Sequence, residues 1–368
     1  MEGRDLLGRT GRRAALLALV VLMTTAGGAV ASEGSKLRPR PATRFGIAPG
    51  GALHNLSNRD LARTLDGVRA VGATRIRVDL NWALIQERGR NSYRWASFDR
   101  VVRAARARGL HVLAAILYTP RWAQPNGGTG SSPPVNLDDY AAFAQKAATH
   151  YRRFGVEAYE IWNEPNIVNF WAPGPDPARY TQMLKLASAA IKRVDPAATV
   201  VSAGLSPYGS YGQADAQHMN PINFLEQMYA NGAAGSMDAV GWHPYNFPYG
   251  LGYSSSSAWS QMSATSPSAR SVMTANGDAA KQIWATEFGA PTGRSRTSLT
   301  EAAQAQLVTL AYTKLQAWRW AGPGFLHSYR DRGKVGASTD DGFGLVRADW
   351  SKKPSYRAYE RRATARGG

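Results

Sequence analysis

The sequence predicts an α/β fold, a single-domain (β/α)8 TIM barrel. From residue 44 onward, strand-like apolar runs alternate with helix-like periodic patterns, and no second linker interrupts them. Eight strand candidates suit a closed barrel, and about 320 residues fit such a barrel with enlarged loops. The longest connections follow strands rather than helices, as they do where strand-to-helix loops build an active face. An open doubly wound sheet is the alternative, but no G-x-G-x-x-G or P-loop supports a nucleotide site.

The first 31 residues have the pattern of a signal peptide. Basic residues between Arg4 and Arg13 precede the apolar stretch Ala14–Met23, which is too short to span a bilayer comfortably. An A-x-A cleavage signal ends at Ala31. We therefore expect export, cleavage after Ala31 and no membrane span in the mature chain. An uncleaved anchor is the alternative, and an arginine pair leaves the twin-arginine route open.

Residues 32–43 are polar, basic and rich in proline, which predicts a tether outside the fold. The chain has 368 residues, no cysteine and a formal net charge of +18, so disulfides and thiolate chemistry are excluded. Removal of the signal peptide leaves about +16. The charge is mostly scattered arginine, which argues against nucleic-acid binding. It favours association with an anionic cell envelope or acidic glycans, although an arginine-rich proteome explains it equally well.

The strand candidates are short apolar runs that end near polar or turn-forming residues. They cover Arg44–Ala48, Thr74–Leu80, His111–Tyr118, Val156–Trp162, Thr199–Leu205, Ser236–His243, Gln282–Glu287 and Gly324–Tyr329.

The helix candidates carry apolar residues at helical spacing, and we assign those faces to the core. They cover Asn58–Val71, Ser97–Arg108, Tyr140–Phe154, Ala178–Val194 and Thr300–Ala321. Asn58 is the predicted N-cap of the first helix, and Pro177 opens the fourth.

Two predicted strands end at a glutamate. In VEAYEIWNEPN, Val156–Asn166, Pro165 has no N–H and cannot continue a central ladder, so the strand gives way to a loop at Glu164. In KQIWATEFGA the apolar run ends at Glu287. A carboxylate at the tip of an interior strand is costly to desolvate without a role, and helix capping is the alternative role for one alone. Two such carboxylates suit a glycoside hydrolase, in which one protonates the leaving oxygen and the other attacks the sugar or activates water.

These motifs resemble those of the clan A retaining glycoside hydrolases, including family five cellulase-like and family thirty-nine β-xylosidase-like enzymes. The resemblance covers roughly residues 44–363, nearly the whole mature chain. Besides WNEPN and EFG, it extends to the segments IRVDLNW (Ile76–Trp82), YRWASFDRVVRAARARGL (from Tyr93), LYTPRWA (Leu117–Ala123), WHPY (Trp242–Tyr245) and FGLVRADWSKKPSY (Phe343–Tyr356).

The resemblance implies roles for five residues. Glu164 would be the acid/base and Glu287 the nucleophile. Asn163 would bind the sugar 2-hydroxyl, while Arg77 and Tyr245 would hold Glu287. A nearby cation favours an ionised carboxyl, so we expect Glu287 to stay charged and Glu164 to hold its proton until the glycosyl-enzyme forms.

The resemblance also implies a set of substrate-binding residues. His243 would line the sugar site, and Trp122, Trp171 and Tyr329 are candidate subsite residues. Many relatives carry a tryptophan at the end of the eighth strand, where this chain has FLHSYRD. His327 or Tyr329 would then fill that place, which leaves the identity of the bound sugar open.

The sequence therefore predicts an exported, retaining β-glycoside hydrolase that acts on a polysaccharide or oligosaccharide. We expect it to be secreted or held at the cell envelope, without a cofactor, because the six histidines lack metal-ligand spacing. Long loops after the third, fifth and sixth strands favour endo-action. Exo-action on β-xylosides or β-glucosides is the alternative within the class, and a non-catalytic glycan-binding barrel is the alternative outside it.

Overall fold

The computed structural model describes residues 44–50, 53–251, 254, 257–333 and 339–365. The predicted signal peptide, residues 1–31, and the predicted tether, residues 32–43, lie outside the described residues. Among the helices of the described part, none combines the length and hydropathy of a membrane span.

Within the described residues, eight parallel strands close into a barrel in chain order, and the last strand pairs with the first. The strands are β1 (Phe45–Ile47), β2 (Arg75–Asn81), β3 (His111–Leu117), β4 (Ala158–Ile161), β5 (Thr199–Ser202), β6 (Ala239–Trp242), β7 (Gln282–Phe288) and β8 (Ala321–Leu326). Helices connect successive strands, so the predicted (β/α)8 barrel is confirmed.

The α-helices surround the barrel. They are α1 (Asn58–Ala70), α2 (Trp82–Ile85), α3 (Ala96–Arg106), α4 (Leu137–Arg152), α5 (Pro177–Val194), α6 (Pro221–Ala230), α7 (Ser260–Ser263), α8 (Ala269–Ala275), α9 (Glu301–Ala317) and α10 (Pro354–Thr364). Short 3-10 turns cover Leu53–Asn55, Arg121–Ala123, Ala234–Ser236 and Thr339–Gly342.

Several predicted boundaries were wrong. Helix α4 begins at Leu137 rather than Tyr140, and β8 covers Ala321–Leu326 rather than Gly324–Tyr329. Helix α1 is capped by Ser57, whose hydroxyl accepts a hydrogen bond from the N–H of Asp60, and not by Asn58. Helix α9 ends at Ala317 rather than Ala321, because Trp318 has an extended backbone and Ala321 already pairs with Ile283 in the sheet. Strand pairing in the closed barrel therefore overrides the helical periodicity of the sequence there.

The barrel interior has two layers with different chemistry. An apolar layer consists of Ala48, Leu113, Ala158, Val201, Ala239, Trp284 and Phe325, all buried. Side chains two residues apart on a strand share a face. Two residues after Ala158, Trp284 and Phe325 the inward face therefore carries Glu160, Thr286 and His327. We call these three residues, with Arg77 and His243, the polar layer, and it lies at the carboxyl ends of the strands.

Candidate active site

A cleft of about 740 Å³ opens at the carboxyl ends of the strands. Its charged lining consists of Arg77, Asp79, Glu164, Glu287 and Arg332. The two strand-end glutamates predicted from the sequence therefore face the same space, although they are 123 positions apart in the chain.

An irregular backbone carries Glu164 into the cleft. Trp162 and Glu164 both have positive φ, 74° and 42°, which is uncommon and costly for residues with a Cβ. The N–H of Glu164 donates to the carbonyl of Gly204 at 3.0 Å. A Cβ on Gly204 would overlap the ring of His243 and the side chain of Thr286, so this close approach requires glycine.

His243 holds the Glu164 carboxyl from behind. Its Nδ1 lies 2.8 Å from Glu164 Oε1, and its Nε2 lies 3.0 Å from the hydroxyl of Thr286. Burial alone would lower the pKa of His243, but the charge of Glu287 and the contact with Glu164 outweigh burial, and the pKa is raised. His243 is fully buried, so the structure places it against the acid rather than on the cleft surface.

Glu287 is held as a carboxylate by two donors. Arg77 Nη1 donates to Oε1 at 2.6 Å, and the Tyr245 hydroxyl donates to Oε2 at 2.7 Å. Burial alone would raise the pKa of Glu287, but the charges of Arg77, His243 and His327 and the tyrosine hydrogen bond lower it to about 2. The sequence predicted Glu287 as the ionised glutamate of the pair, and the lowered pKa keeps Glu287 ionised at any ordinary pH.

Arg77 connects the tips of strands β2, β4 and β7. Its Nε donates to Glu160 at 2.5 Å, its Nη2 to the Asn163 side-chain oxygen at 2.8 Å, and its Nη1 contacts Glu287 and, at 3.4 Å, Asp79. Burial alone would lower its pKa, but the surrounding carboxylates outweigh burial and raise it. The planar fork of one guanidinium therefore fixes the nucleophile and the residue before the acid together.

Sequence reasoning missed two acids in this arrangement. Glu160 is fully buried and also accepts hydrogen bonds from the Gly204 N–H at 2.9 Å and from Thr286 at 2.8 Å. Burial, together with the charges of Glu287 and Glu160, raises the pKa of Asp79 to about 6 although Arg77 opposes the shift. Asp79 and Glu160 each lie within the apolar run of a predicted strand, and this position was the signal that could have found them. A buried carboxylate requires a charged or hydrogen-bonding partner.

The structure does not bring three of the predicted subsite residues to the cleft. Trp171 is 1% exposed and packs edge-on against Trp162 and Tyr180 in the helix layer. Trp122 is half-buried, and its indole N–H donates to the carbonyl of Gln86. Tyr329 is 5% exposed, with its hydroxyl packed against helix α1. Their positions therefore do not support the predicted roles in sugar subsites. Each aromatic ring packs on apolar surface, which stabilises the ring more than exposure to solvent would.

His327 does line the cleft, at the end of β8. Its Nδ1 lies 3.1 Å from the carbonyl oxygen of Ala48, and its ring packs edge-on against Tyr245 and Phe343. Burial is the largest influence on His327 and lowers its pKa, although the charge of Glu287 opposes the shift. The apolar lining that sequence reasoning missed includes Tyr118, Phe170, Phe247 and Phe343, whose rings offer surfaces on which a sugar can stack.

No group of three or more histidine, cysteine, aspartate or glutamate side chains in the described part of the chain is placed to hold a metal ion. What the cleft does present is a carboxylate held ionised and a second carboxyl held by a histidine, with aromatic surfaces around them. That arrangement can perform acid–base and nucleophilic chemistry on one bound molecule.

Residues 44–322 match the family described as Cellulase (glycosyl hydrolase family 5). A β-xylosidase of Geobacillus stearothermophilus is 31% identical over 71 residues, which are 18% of this chain and 14% of that protein.

Among solved structures, a family 39 glycoside hydrolase from Bacteroides cellulosilyticus is similar with a TM-score of 0.67 and 25% identity, over 88% of this chain and 64% of that one. A monomeric β-xylosidase from Caulobacter crescentus is similar with a TM-score of 0.66 and 18% identity, over 89% of this chain and 69% of that one. The chain thus spans less than two thirds of the first of these structures and a small part of the Geobacillus protein.

Proposed function

The chain belongs to the cellulase family, glycosyl hydrolase family 5, and we propose that it is a retaining β-glycoside hydrolase. The observation that carries the proposal is that two strand-end glutamates line one cleft and have different hydrogen-bond partners. Glu287 is held ionised by Arg77 and Tyr245, whereas Glu164 is held by His243. Double displacement requires one carboxylate and one carboxylic acid on opposite sides of a glycosidic bond.

In the first step Glu287 attacks the anomeric carbon of the bound sugar. Glu164 gives its proton to the glycosidic oxygen, the bond to the leaving group breaks, and an ester forms between the sugar and Glu287. Arg77 and Tyr245 orient the attacking carboxylate because each fixes one of its two oxygens. Asn163 lines the cleft and accepts a hydrogen bond from Arg77 through its side-chain oxygen, so its amide N–H groups are the part that can donate to a sugar hydroxyl.

In the second step water replaces the leaving group beside Glu164. Esterification removes the negative charge of Glu287, so Glu164, now ionised, takes a proton from water, which attacks the anomeric carbon. Glu287 leaves as a carboxylate and recovers the hydrogen bonds from Arg77 and Tyr245. The product keeps the anomeric configuration of the substrate because two inversions occur at one carbon.

We favour endo-action on a β-linked polysaccharide. The cleft has a volume of about 740 Å³, and its lining comes from several strand-to-helix connections, including Asn55, Phe170 and Pro207, so it has room for several sugar units. Exo-action on β-xylosides or β-glucosides is the second candidate, because similar solved structures include a β-xylosidase and an exo-β-1,4-mannosidase. Incubation with oligosaccharide ladders separates the two: endo-action yields internal fragments from the start, and exo-action releases monosaccharide and leaves chains that are shorter by one unit at a time.

The direct test is hydrolysis across a panel of β-linked glycans, with NMR detection of the first anomer released. The proposal predicts reducing-end release with retained configuration, and its loss in Glu164→Gln and Glu287→Gln variants that still fold. Glycan binding by calorimetry with no release over days would instead support a non-catalytic binding barrel. An inverted first product would reject the double displacement while leaving the hydrolase in place.

We also propose export to the cell surface or medium, with cleavage after Ala31. The basic, apolar and A-x-A segments at the start of the sequence support this, and the formal charge of about +16 on the remaining chain supports retention at an anionic envelope. N-terminal sequencing of protein recovered from the medium and from a salt wash of cells tests both points. Protein found only inside cells with residues 1–31 attached would contradict them.

A further inference from the structure

Arg332 lines the cleft, and the two-glutamate mechanism gives it no part. The other arginine of the lining, Arg77, is buried and neutralised by Glu160, Glu287 and Asp79. Arg332 is solvent-exposed, and within residues 44–333 and 339–365, so far as these are described, no carboxylate lies within ion-pair distance of it. A guanidinium that has no ion-pair partner among the described residues therefore faces the space in which the substrate binds.

The guanidinium occupies a defined place between the ends of β8 and β1. A Cβ on Gly50, which has a φ of 83°, would overlap Arg332 Nη2, and it would lie 3.4 Å from Cε1 of His327. Arg332 thus lies against the Gly50 backbone beside His327. His327 in turn packs against Tyr245, the donor to Glu287. Arg332 is therefore on the side of the cleft that holds the nucleophile.

A buried ion pair anchors the loop that carries Arg332. The preceding residue, Asp331, accepts hydrogen bonds from Lys353 Nζ at 2.8 Å and from the Gly344 N–H at 2.7 Å. Lys353 also donates to Thr292 at 2.8 Å, and the ion-paired side chains are 1% and 0% exposed. Such a pair adds little net stability but fixes the backbone around it. Arg332 consequently begins from an ordered main chain, which reduces the entropy lost when its side chain binds a ligand.

The position of Arg332 indicates which part of a substrate it meets. Glu164 protonates the leaving oxygen, so the leaving group lies beside Glu164 and the sugar under attack lies over Glu287. Arg332 therefore faces that sugar or the unit attached to its non-reducing side. Asp79 lies in the same half of the cleft, and Arg77 and Arg332 offset its negative charge.

We propose that the substrate is an acidic β-linked glycan, and that Arg332 binds an anionic group on the sugar over Glu287 or on its non-reducing neighbour. This inference rests on the glycosidase function proposed above. The carboxylate of a uronic acid and a sulfate ester share the required chemistry, because each offers two oxygens to the guanidinium fork. The formal charge of about +16 that remains after the proposed cleavage would add long-range attraction for such a polymer.

The test compares polysaccharides that differ only in charge. A panel of β-linked uronate polysaccharides of several linkages is assayed beside the carboxyl-reduced form of each, and beside neutral β-glucans with their sulfate esters. The parent protein is compared with Arg332→Gln and with Arg294→Gln, which removes an exposed arginine outside the cleft lining. All arms are measured at one fixed ionic strength.

We expect the parent to cleave an acidic polymer with a kcat/KM about tenfold to a hundredfold above that for its carboxyl-reduced form, the range for one hydrogen-bonded charge. Arg332→Gln should remove that preference by slowing only the acidic polymer, whereas Arg294→Gln should keep it. A preference confined to the uronates would identify the carboxylate, and one confined to the esters would identify sulfate.

Equal or faster cleavage of the uncharged polymers by the parent would overturn the inference and leave the proposed glycosidase function standing. No cleavage of any glycan would overturn both. The comparison within the parent needs no variant, so the inference stays testable if Arg332→Gln fails to fold. If Arg332→Gln and Arg294→Gln reduced the preference for acidic polymers equally, that preference would be due to overall charge. The role of Arg332 would then be rejected.

Discussion

The apolar and polar layers of the barrel interior lie next to each other, two residues apart along the chain at β4, β7 and the end of β8, yet they are stabilised by different forces. In the apolar layer Trp284 stacks on Phe325, with ring centroids 6.4 Å apart, and fills the space left by small neighbours. In the polar layer Arg77 connects Glu160, Asn163 and Glu287 through hydrogen bonds of 2.5 to 2.8 Å. One layer is complete by packing alone, and the other is arranged around a cleft.

The difference shows that the polar layer, which positions the reactive groups, costs folding stability, whereas the apolar layer adds to it. Burial of apolar area favours folding roughly in proportion to the area, whereas buried charges cost desolvation that only good partners offset. Two acids share Nη1 of Arg77 with opposite outcomes: the pKa of Glu287 is lowered to about 2, and that of Asp79 is raised to about 6. Changes in the polar layer should therefore affect activity and pH dependence, and changes in the apolar layer stability alone.

The largest effect is expected for Glu287→Ala. Removing the nucleophile should lower kcat by about 10⁴-fold or more, the scale seen when a nucleophile is deleted. Added azide should restore part of the turnover and give a glycosyl azide of inverted configuration. Glu226→Ala on the outer helix α6 is the matched control and should keep parental activity. Substantial hydrolysis by Glu287→Ala without azide would remove Glu287 from this role.

Glu160→Gln should reduce both stability and activity. The change leaves part of the buried Arg77 charge without its partner, at a cost of about 3–5 kcal/mol in the free energy of unfolding. Because Arg77 then orients Glu287 and Asn163 less well, kcat should fall at temperatures where the variant remains folded. Urea unfolding and steady-state kinetics check the two parts. Unchanged kcat would show that Glu160 has only a structural role.

Trp284→Ala in the apolar layer should reduce stability alone. Truncating a large buried ring typically costs about 3–5 kcal/mol. Since the polar layer keeps its own hydrogen bonds, the folded fraction should retain kcat within about twofold of the parent. The measurement pairs urea unfolding with activity normalised to the folded fraction. A large fall in kcat per folded molecule would mean that the two layers are coupled.

The smallest effect is expected for Asp79→Asn and depends on pH. The ordinary pKa is 3.8 and the folded value about 6, so the native state binds the proton more tightly than the unfolded chain does. The contribution of Asp79 to the free energy of unfolding is therefore present below about pH 4 and is lost as the pH rises through 6. Relative to the parent, the variant should gain about 2–3 kcal/mol of unfolding free energy between pH 4 and pH 7. A parallel pH dependence of the two proteins would contradict this.

The strand-end pattern predicted the barrel and its two cleft glutamates, because a proline or glycine after an apolar run marks where a strand reaches the open end. Glu160 and Asp79 could not be assigned this way. Both faces of a barrel strand are buried, so alternation does not tell the inward face from the face that packs on helices. Register shifts between Ala285 and Phe288 also alter the alternation next to Glu287.

Aromatic residues on loops were the least predictable part of the site. Trp171 and Tyr329 lie in strand-to-helix connections, as residues of a sugar site would, yet both pack into the helix layer. Phe170, the neighbour of Trp171, lines the cleft instead. The direction of a loop side chain depends on contacts made by the folded loop, which composition and periodicity do not specify.

The central claim is that Glu287 forms a covalent bond with the sugar while Glu164 transfers the proton. The most direct measurement is labelling with a set of 2-deoxy-2-fluoro glycosides that carry good leaving groups, followed by peptide mass spectrometry. The account predicts stoichiometric addition of one fluorosugar to Glu287, with no addition in Glu287→Gln. Attachment to another residue would contradict it, and so would hydrolysis of every reagent with direct inversion and no labelled protein.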